Sequence, residues 1–188
     1  MSAIMRKHPL VILLFCLLAS KVEAQAGFVK AYIITEKGDT IRGDAKPNPK
    51  KEIEAYERIY FKDANGVQKN YRPSKIRGYG INEDHFISLD NDGEPRFYKV
   101  LARGAVNLYM IMFEAVNMNE VSMEPEYYLA KSDNKKLVVI KQAKFKKQAT
   151  DWMKDNMEFL NAYPDDKKFD QEKAIEVINQ YNSWKAAN

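Results

Sequence analysis

The sequence predicts an α+β protein, mainly antiparallel β, folded as a meander into a curved sheet or barrel-like roll with a C-terminal α-helical tail. Three observations carry this. All 8 glycines lie between Gly27 and Gly104, and after Pro125 the only proline is Pro164. Glycine and proline punctuate short elements, so the front is turn-rich. That front alternates short β-branched and aromatic runs with tight turns. Beyond residue 142 the apolar period changes from two to three or four.

The elements follow in order. Phe28 to Thr35 is apolar and β-branched, Glu36-Lys37-Gly38-Asp39 turns the chain, and Thr40 to Asp44 returns. Lys46-Pro47-Asn48-Pro49-Lys50-Lys51 is a loop, because its prolines cannot donate to a ladder. Ile59 to Lys62 and Val67 to Tyr71 flank Asn65-Gly66, the strongest short hairpin signal in the chain. Ile76 to Ile81 carries Gly78 and Gly80, which suggests a bend or bulge. His85 to Leu89 and Arg96 to Arg103 flank Asp90-Asn91-Asp92-Gly93-Glu94. Ala105 to Val116 reads as a long strand. Tyr127 to Lys131 and Leu137 to Ile140 flank Ser132-Asp133-Asn134. Consecutive strands with tight turns imply an antiparallel meander.

In the tail, Phe145, Ala149, Trp152 or Met153, Asn156 or Met157, and Leu160 recur at helical spacing, which predicts one amphipathic helix ended by Pro164. Asp170 is a good N-cap for a second helix carrying Ala174, Ile175, Val177, Ile178, Tyr181 and Trp184. Both helices are expected to cover one face or opening of the sheet. The chain thus divides into a leader (1–24), a β-meander domain (25–142) and a helical segment packed on the sheet (143–188).

The leader reads as a secretory signal peptide. Arg6 and Lys7 precede an unbroken apolar run from Leu10 to Ala19, and small residues follow at Ala24 and Ala26, so cleavage after either fits. A spanning helix needs roughly 20 apolar residues, more than this run offers. The expectation is an exported protein, periplasmic or secreted, and not an integral membrane protein once the leader is removed. The lone cysteine, Cys16, leaves with the leader, so no disulfide is expected and the core alone must hold the fold. The full chain carries a net charge of +4, and the leader holds three basic residues (Arg6, Lys7, Lys21) against one acid, Glu23. The field left to steer nucleic acid is weak, and no nucleic-acid partner is expected.

Catalytic equipment is scarce. Past the leader, His85 is the only imidazole, and strand alternation sends Asp84 and Ser88 to the opposite face from it. Zinc needs several His or Cys ligands, so no metal site or cofactor is expected. Asp90 to Glu94 has its glycine at the wrong position for a helix-flanked calcium loop and reads as a plain hairpin. Glu114, Glu120, Glu124 and Glu126 cluster, but no spacing singles out an acid pair. Lys135, Lys136, Lys141, Lys144, Lys146 and Lys147 form a basic cluster, read as a solvated helix face with lipid headgroups as the alternative partner. The 11 tyrosines suit strands, and on a curved sheet Tyr79, Tyr98 and Tyr109 are candidate contacts for a sugar or apolar ligand.

Several segments together resemble a group of uncharacterised exported proteins of Bacteroidetes-type bacteria. They are Tyr32-Ile33-Ile34 with Gly38-Asp39-Thr40-Ile41-Arg42-Gly43, Pro73-Ser74-Lys75-Ile76-Arg77-Gly78-Tyr79, Phe97-Tyr98-Lys99-Val100-Leu101, Gly104-Ala105-Val106-Asn107-Leu108-Tyr109, Tyr127-Tyr128-Leu129, and the closing Ile175-Glu176-Val177-Ile178-Asn179-Gln180-Tyr181-Asn182. The resemblance implies export and a β-meander with a helical tail, and it implies no catalytic residue. It differs in having no cysteine in the helical tail. The resulting expectation is a non-catalytic envelope protein that binds a protein partner or an apolar, lipid or glycan ligand, with a carboxylate-dependent hydrolase as the alternative.

Overall fold

The computed structural model describes residues 27–48, 51–117, 120–132, 136–141, 144–164 and 169–188. The leader, its cleavage site and Cys16 lie outside the described residues, as do Lys135 and the Asp133-Asn134 turn.

The front forms one ten-stranded antiparallel sheet. Its strands are β1 (Val29–Thr35), β2 (Thr40–Ala45), β3 (Ile59–Asp63), β4 (Gln68–Tyr71), β5 (Ile76–Ile81), β6 (Asp84–Asn91), β7 (Glu94–Ala102), β8 (Val106–Asn117), β9 (Glu120–Lys131) and β10 (Val138–Val139). The order is β10-β9-β8-β7-β6-β5-β1-β2-β3-β4, open, with β10 and β4 at the edges. This differs from a simple meander, because β5 pairs with β1 and not with β4. The physical reason is composition. β4 is Gln-Lys-Asn-Tyr, largely exposed, and its polar character suits an edge. β1 instead buries Ile33 directly opposite Tyr79 of β5, each 1% exposed.

Turn chemistry is as the sequence indicates. Asp92 and Gly93 both take positive φ in the β6–β7 hairpin, the backbone a two-residue Asp-Gly turn requires. Asp90 accepts a hydrogen bond from the Gly93 N–H at 2.7 Å, so this acid caps its own turn.

Residues opposite one another in a ladder share a face, and neighbours along a strand alternate. The first face carries Ile33, Phe61, Tyr79, Phe86, Phe97, Lys99, Leu108, Met110, Met112, Tyr127 and Leu129. One end of it is covered by α1 (Glu54–Glu57), a single turn after β2. The other end is covered by α2 (Phe145–Thr150), α3 (Glu158–Asn161) and α4 (Gln171–Ala187), which bury Phe145, Met153, Leu160, Val177 and Ile178 against Val106, Leu108 and Leu129. Among the described residues no helix is long and apolar enough to cross a membrane.

The single helix expected from Phe145 to Leu160 is broken into α2 and α3. The apolar spacing holds, since Phe145, Ala149, Met153 and Leu160 are all buried. The backbone does not hold, because polar side chains near the break compete for it. Thr150 Oγ1 donates to the Lys146 carbonyl at 2.8 Å, and Asn156 accepts from Glu158 N–H at 3.1 Å. α4 matches the expectation, with Asp170 accepting from Lys173 N–H at 2.9 Å as N-cap.

Candidate functional site

A concavity with a largely apolar lining lies between α1 and the first face of the sheet. It encloses about 370 Å³, at the lower end of small-molecule sites. Two local features create it. After β2 the chain leaves the sheet through Pro47 and Asn48, and Asn48 Nδ2 donates to Glu54 at 3.1 Å, which holds the α1 turn together. On the sheet side, β7 and β8 pair only from Ala102↔Leu108 to Lys99↔Met110, then part. Met112, beyond the last β7–β8 pair, is thereby left beside an open space, which Met110, the ladder partner of Lys99, also lines.

The floor is aromatic and tightly fixed. Tyr79 stacks on Phe86, its ladder partner, with centroids 4.5 Å apart and planes 8° apart. Phe97 meets Tyr79 edge-on at 4.8 Å, and Tyr56 of α1 meets Phe86 edge-on at 5.8 Å. The Tyr79 hydroxyl donates to the Ala55 carbonyl and so pins α1 to the sheet. Burial pushes the Tyr79 phenol far up, with Tyr56 and Asp84 adding to the shift. Burial, with Asp84 and Glu52 nearby, pushes Tyr56 up to about 12. Both remain neutral phenols at physiological pH and act as aromatic surface and hydrogen-bond donors, not as proton shuttles. Charge also lines the space: Lys99, between Phe86 and Met110 on the sheet face, lies with its Nζ 2.8 Å from Asp84, and Lys46, Lys51 and Glu52 contribute from the α1 side.

Of the three tyrosines singled out from the sequence, only Tyr79 lines this cleft. Tyr98 and Tyr109 face the other side of the sheet, since Ile87↔Tyr98 and Val100↔Tyr109 alternate with the Phe86–Lys99–Met110 row. Tyr98 borders a shallower hollow of about 250 Å³ with Arg96, Phe113, Glu126 and Tyr128. Tyr109 is 6% exposed. The structure does not bring the three together. The residues that sequence reasoning missed are Tyr56, Met110 and Met112. Met110 and Met112 had a readable signal, since they alternate along a strand, but the parting of β7 from β8 was not readable.

The other candidates separate as well. His85 is on the second face, Asp84 on the first, and Ser88 donates to the Pro73 carbonyl at 2.7 Å. Glu114 faces the first side, whereas Glu120, Glu124 and Glu126 face the second. Tyr128 donates to Glu126, and Ser122 to Glu124 at 3.3 Å. Of the lysine cluster, Lys141, Lys144 and Lys147 are exposed, while Lys146 reaches the Tyr163 carbonyl. Among the described residues no group of three or more His, Cys, Asp or Glu could hold a metal ion. Comparison with family models, with curated proteins and with solved structures gives no match.

Proposed function

We propose that this protein is a non-catalytic exported binding protein that holds a small, largely apolar ligand in the cleft beneath α1. One observation carries the reading: a preformed hollow of about 370 Å³ lined by the Tyr79–Phe86 stack with Met110 and Met112, in which the Lys99–Asp84 ion pair on the same sheet face supplies a polar anchor. Apolar walls with a few polar groups suit an apolar body with one polar end. The methionines favour this, because their unbranched side chains adapt to varied apolar shapes. A glycan lying against the aromatic floor is the narrower version of the same proposal. Export is supported by the basic n-region, the short apolar run and the small residues at Ala24 and Ala26. The hydrolase alternative has less support, because two of the three cleft carboxylates, Asp84 and Glu54, are engaged by Lys99 and Asn48.

The test is saturable binding of a fluorescent fatty-acid analogue to the purified protein, with displacement by unlabelled fatty acids and, separately, by sugars. Met112→Trp fills the cleft without touching its aromatic floor and is expected to weaken binding about tenfold or more, the scale of losing a well-placed apolar contact and the space around it. Absence of saturable binding, or equal binding by the filled variant, refutes the reading.

A further inference from the structure

Beyond the last β7–β8 pair, Lys99↔Met110, strand β8 runs on from Ile111 to Asn117 with β9 as its only ladder partner among the described residues. The β10 segment covers β9 only from Tyr127 to Leu129. The outer half of the β8–β9 hairpin is therefore a two-stranded arm. A hollow of about 540 Å³ separates its Glu114 and Met123 from Ile53, Glu57 and Arg58 of the α1 segment, so open space lies beside it.

The other edges are guarded against an added strand. β4 is short and polar. On β10, Gln148 of α2 donates to the Val139 carbonyl at 2.7 Å and accepts from Lys141 N–H at 2.9 Å, so a side chain already takes those edge groups. On the arm, β9 carries Pro125, which has no N–H to offer. The β8 edge, Ile111-Met112-Phe113-Glu114-Ala115-Val116, holds no proline, lysine or arginine. Val116 and its ladder partner Val121 are 70% and 66% exposed, the two most exposed large apolar residues among those described. They share the first face with Met112 and Met123. The arm's charge has one sign: between Gly104 and Lys131 stand Glu114, Glu120, Glu124 and Glu126 and no basic residue. Among the described residues none of these four makes an ion pair.

We infer that the free edge of β8 binds an extended segment of a partner protein in which apolar and basic residues alternate, added as a strand in the gap where β7 parts from β8. The unpaired main-chain groups of Ile111 to Asn117 supply the ladder bonds. Strand alternation gives the added segment two faces. Its apolar residues continue the Met112 and Val116 strip on the first face, and its basic residues reach Glu124 and Glu126 on the second. Charge selects this occupant over a second copy of the arm, because two arms side by side bring carboxylates together with no cation between them. The surface needs no ligand in the cleft.

The test uses the full purified chain and a fluorescein-labelled octapeptide of alternating valine and lysine, read by fluorescence anisotropy. Two control peptides replace lysine by glutamate, or keep the side chains and methylate the backbone amides. The protein variants are Val116→Lys, which places a guarding charge on the edge, and Glu124→Lys, which reverses one charge of the arm. Both sites are exposed, and circular dichroism checks that the fold is retained. Saturable binding of the valine–lysine peptide, weakened about tenfold or more by amide methylation, by glutamate and by each variant, supports the surface. No saturable binding, or equal binding of the methylated peptide, overturns it, the latter because charge alone then holds the peptide. Binding unchanged in both variants also overturns it. Sedimentation velocity of the wild type without peptide closes the test. A concentration-dependent dimer that Val116→Lys abolishes assigns the edge to a second copy and overturns the peptide reading, whereas a monomer leaves the edge free for the peptide and supports it.

Discussion

Asn182 of α4 makes the sharpest energetic test of the fold. Its amide bridges one residue of the sheet: Val106 N–H donates to Oδ1 at 2.9 Å, and Nδ2 donates to the Val106 carbonyl at 2.7 Å. Val106 lies just past the last β7–β8 pair, where the bulge in β7 leaves its backbone without a strand partner on that side. Asn182 supplies that partner from a helix 76 residues away. The fit is close, since a Cβ at Gly104 would stand 2.4 Å from the Asn182 side chain. Asn182→Ala leaves two backbone groups of a residue only 1% exposed without partners. Each such group costs about 1–3 kcal/mol, so the loss is about 2–6 kcal/mol. At about 2–4 °C per kcal/mol for a chain of this size, Tm falls by roughly 4–24 °C. Urea unfolding followed by the fluorescence of Trp152 and Trp184, the only tryptophans, measures this directly. Asn182→Asp adds a pH signature. Its protonated carboxyl can still donate to the Val106 carbonyl and accept from the N–H, whereas its charged form cannot donate. The folded state therefore raises its pKa, and the stability it contributes is present below the unfolded value of about 3.9 and lost as pH rises through the folded one. A loss below about 1 kcal/mol in Asn182→Ala, or a pH-independent Asn182→Asp, would refute the bridging role.

Other outcomes follow from the same structure. Gly78→Ala destabilises more than Gly80→Ala by about 1–2 kcal/mol in urea unfolding, because a Cβ at Gly78 meets the Phe86 backbone carbonyl at 2.4 Å whereas at Gly80 it meets only a side chain that can swing away. Tyr79→Phe removes the bond to the Ala55 carbonyl and costs about 1–2 kcal/mol, with faster amide exchange in α1 and weaker ligand binding as the readouts. Hydrogen bonds from Lys185 and Tyr181 hold Asp155 at about 2, well below the usual carboxylate range. The stability this contributes is present above the unfolded value near 3.9 and is lost as pH falls toward 2, so Asp155→Asn flattens the acid limb of the stability profile.

Much of the fold was legible in particular residues. Asp92-Gly93 and Asn65-Gly66 fixed their hairpins through local backbone geometry, and Gly66 and Gly93 both take positive φ. Asp170 marked the start of α4, and the buried stripe Ala174, Val177, Ile178, Tyr181 followed the helical period. The candidate site was legible only in part. Residue type alone groups Tyr79 with Tyr98 and Tyr109, and the ladder places the latter two across the sheet from it. Tyr56 sits on a four-residue turn that no periodicity announces.

Turns, caps and apolar stripes depend on neighbours a few residues away, so the chain by itself determined most of the strands, the Asn65-Gly66 and Asp92-Gly93 hairpins and the last helix, whereas β9, read as Tyr127 to Lys131, begins at Glu120 and pairs along its length with β8. Which strand β1 joins, where β7 parts from β8, and which side chain satisfies Val106 depend on burial summed over distant segments. Only the tertiary structure decided those, because the free energy of covering Ile33 or pairing a backbone group is set by whichever partner, however remote, excludes water from it.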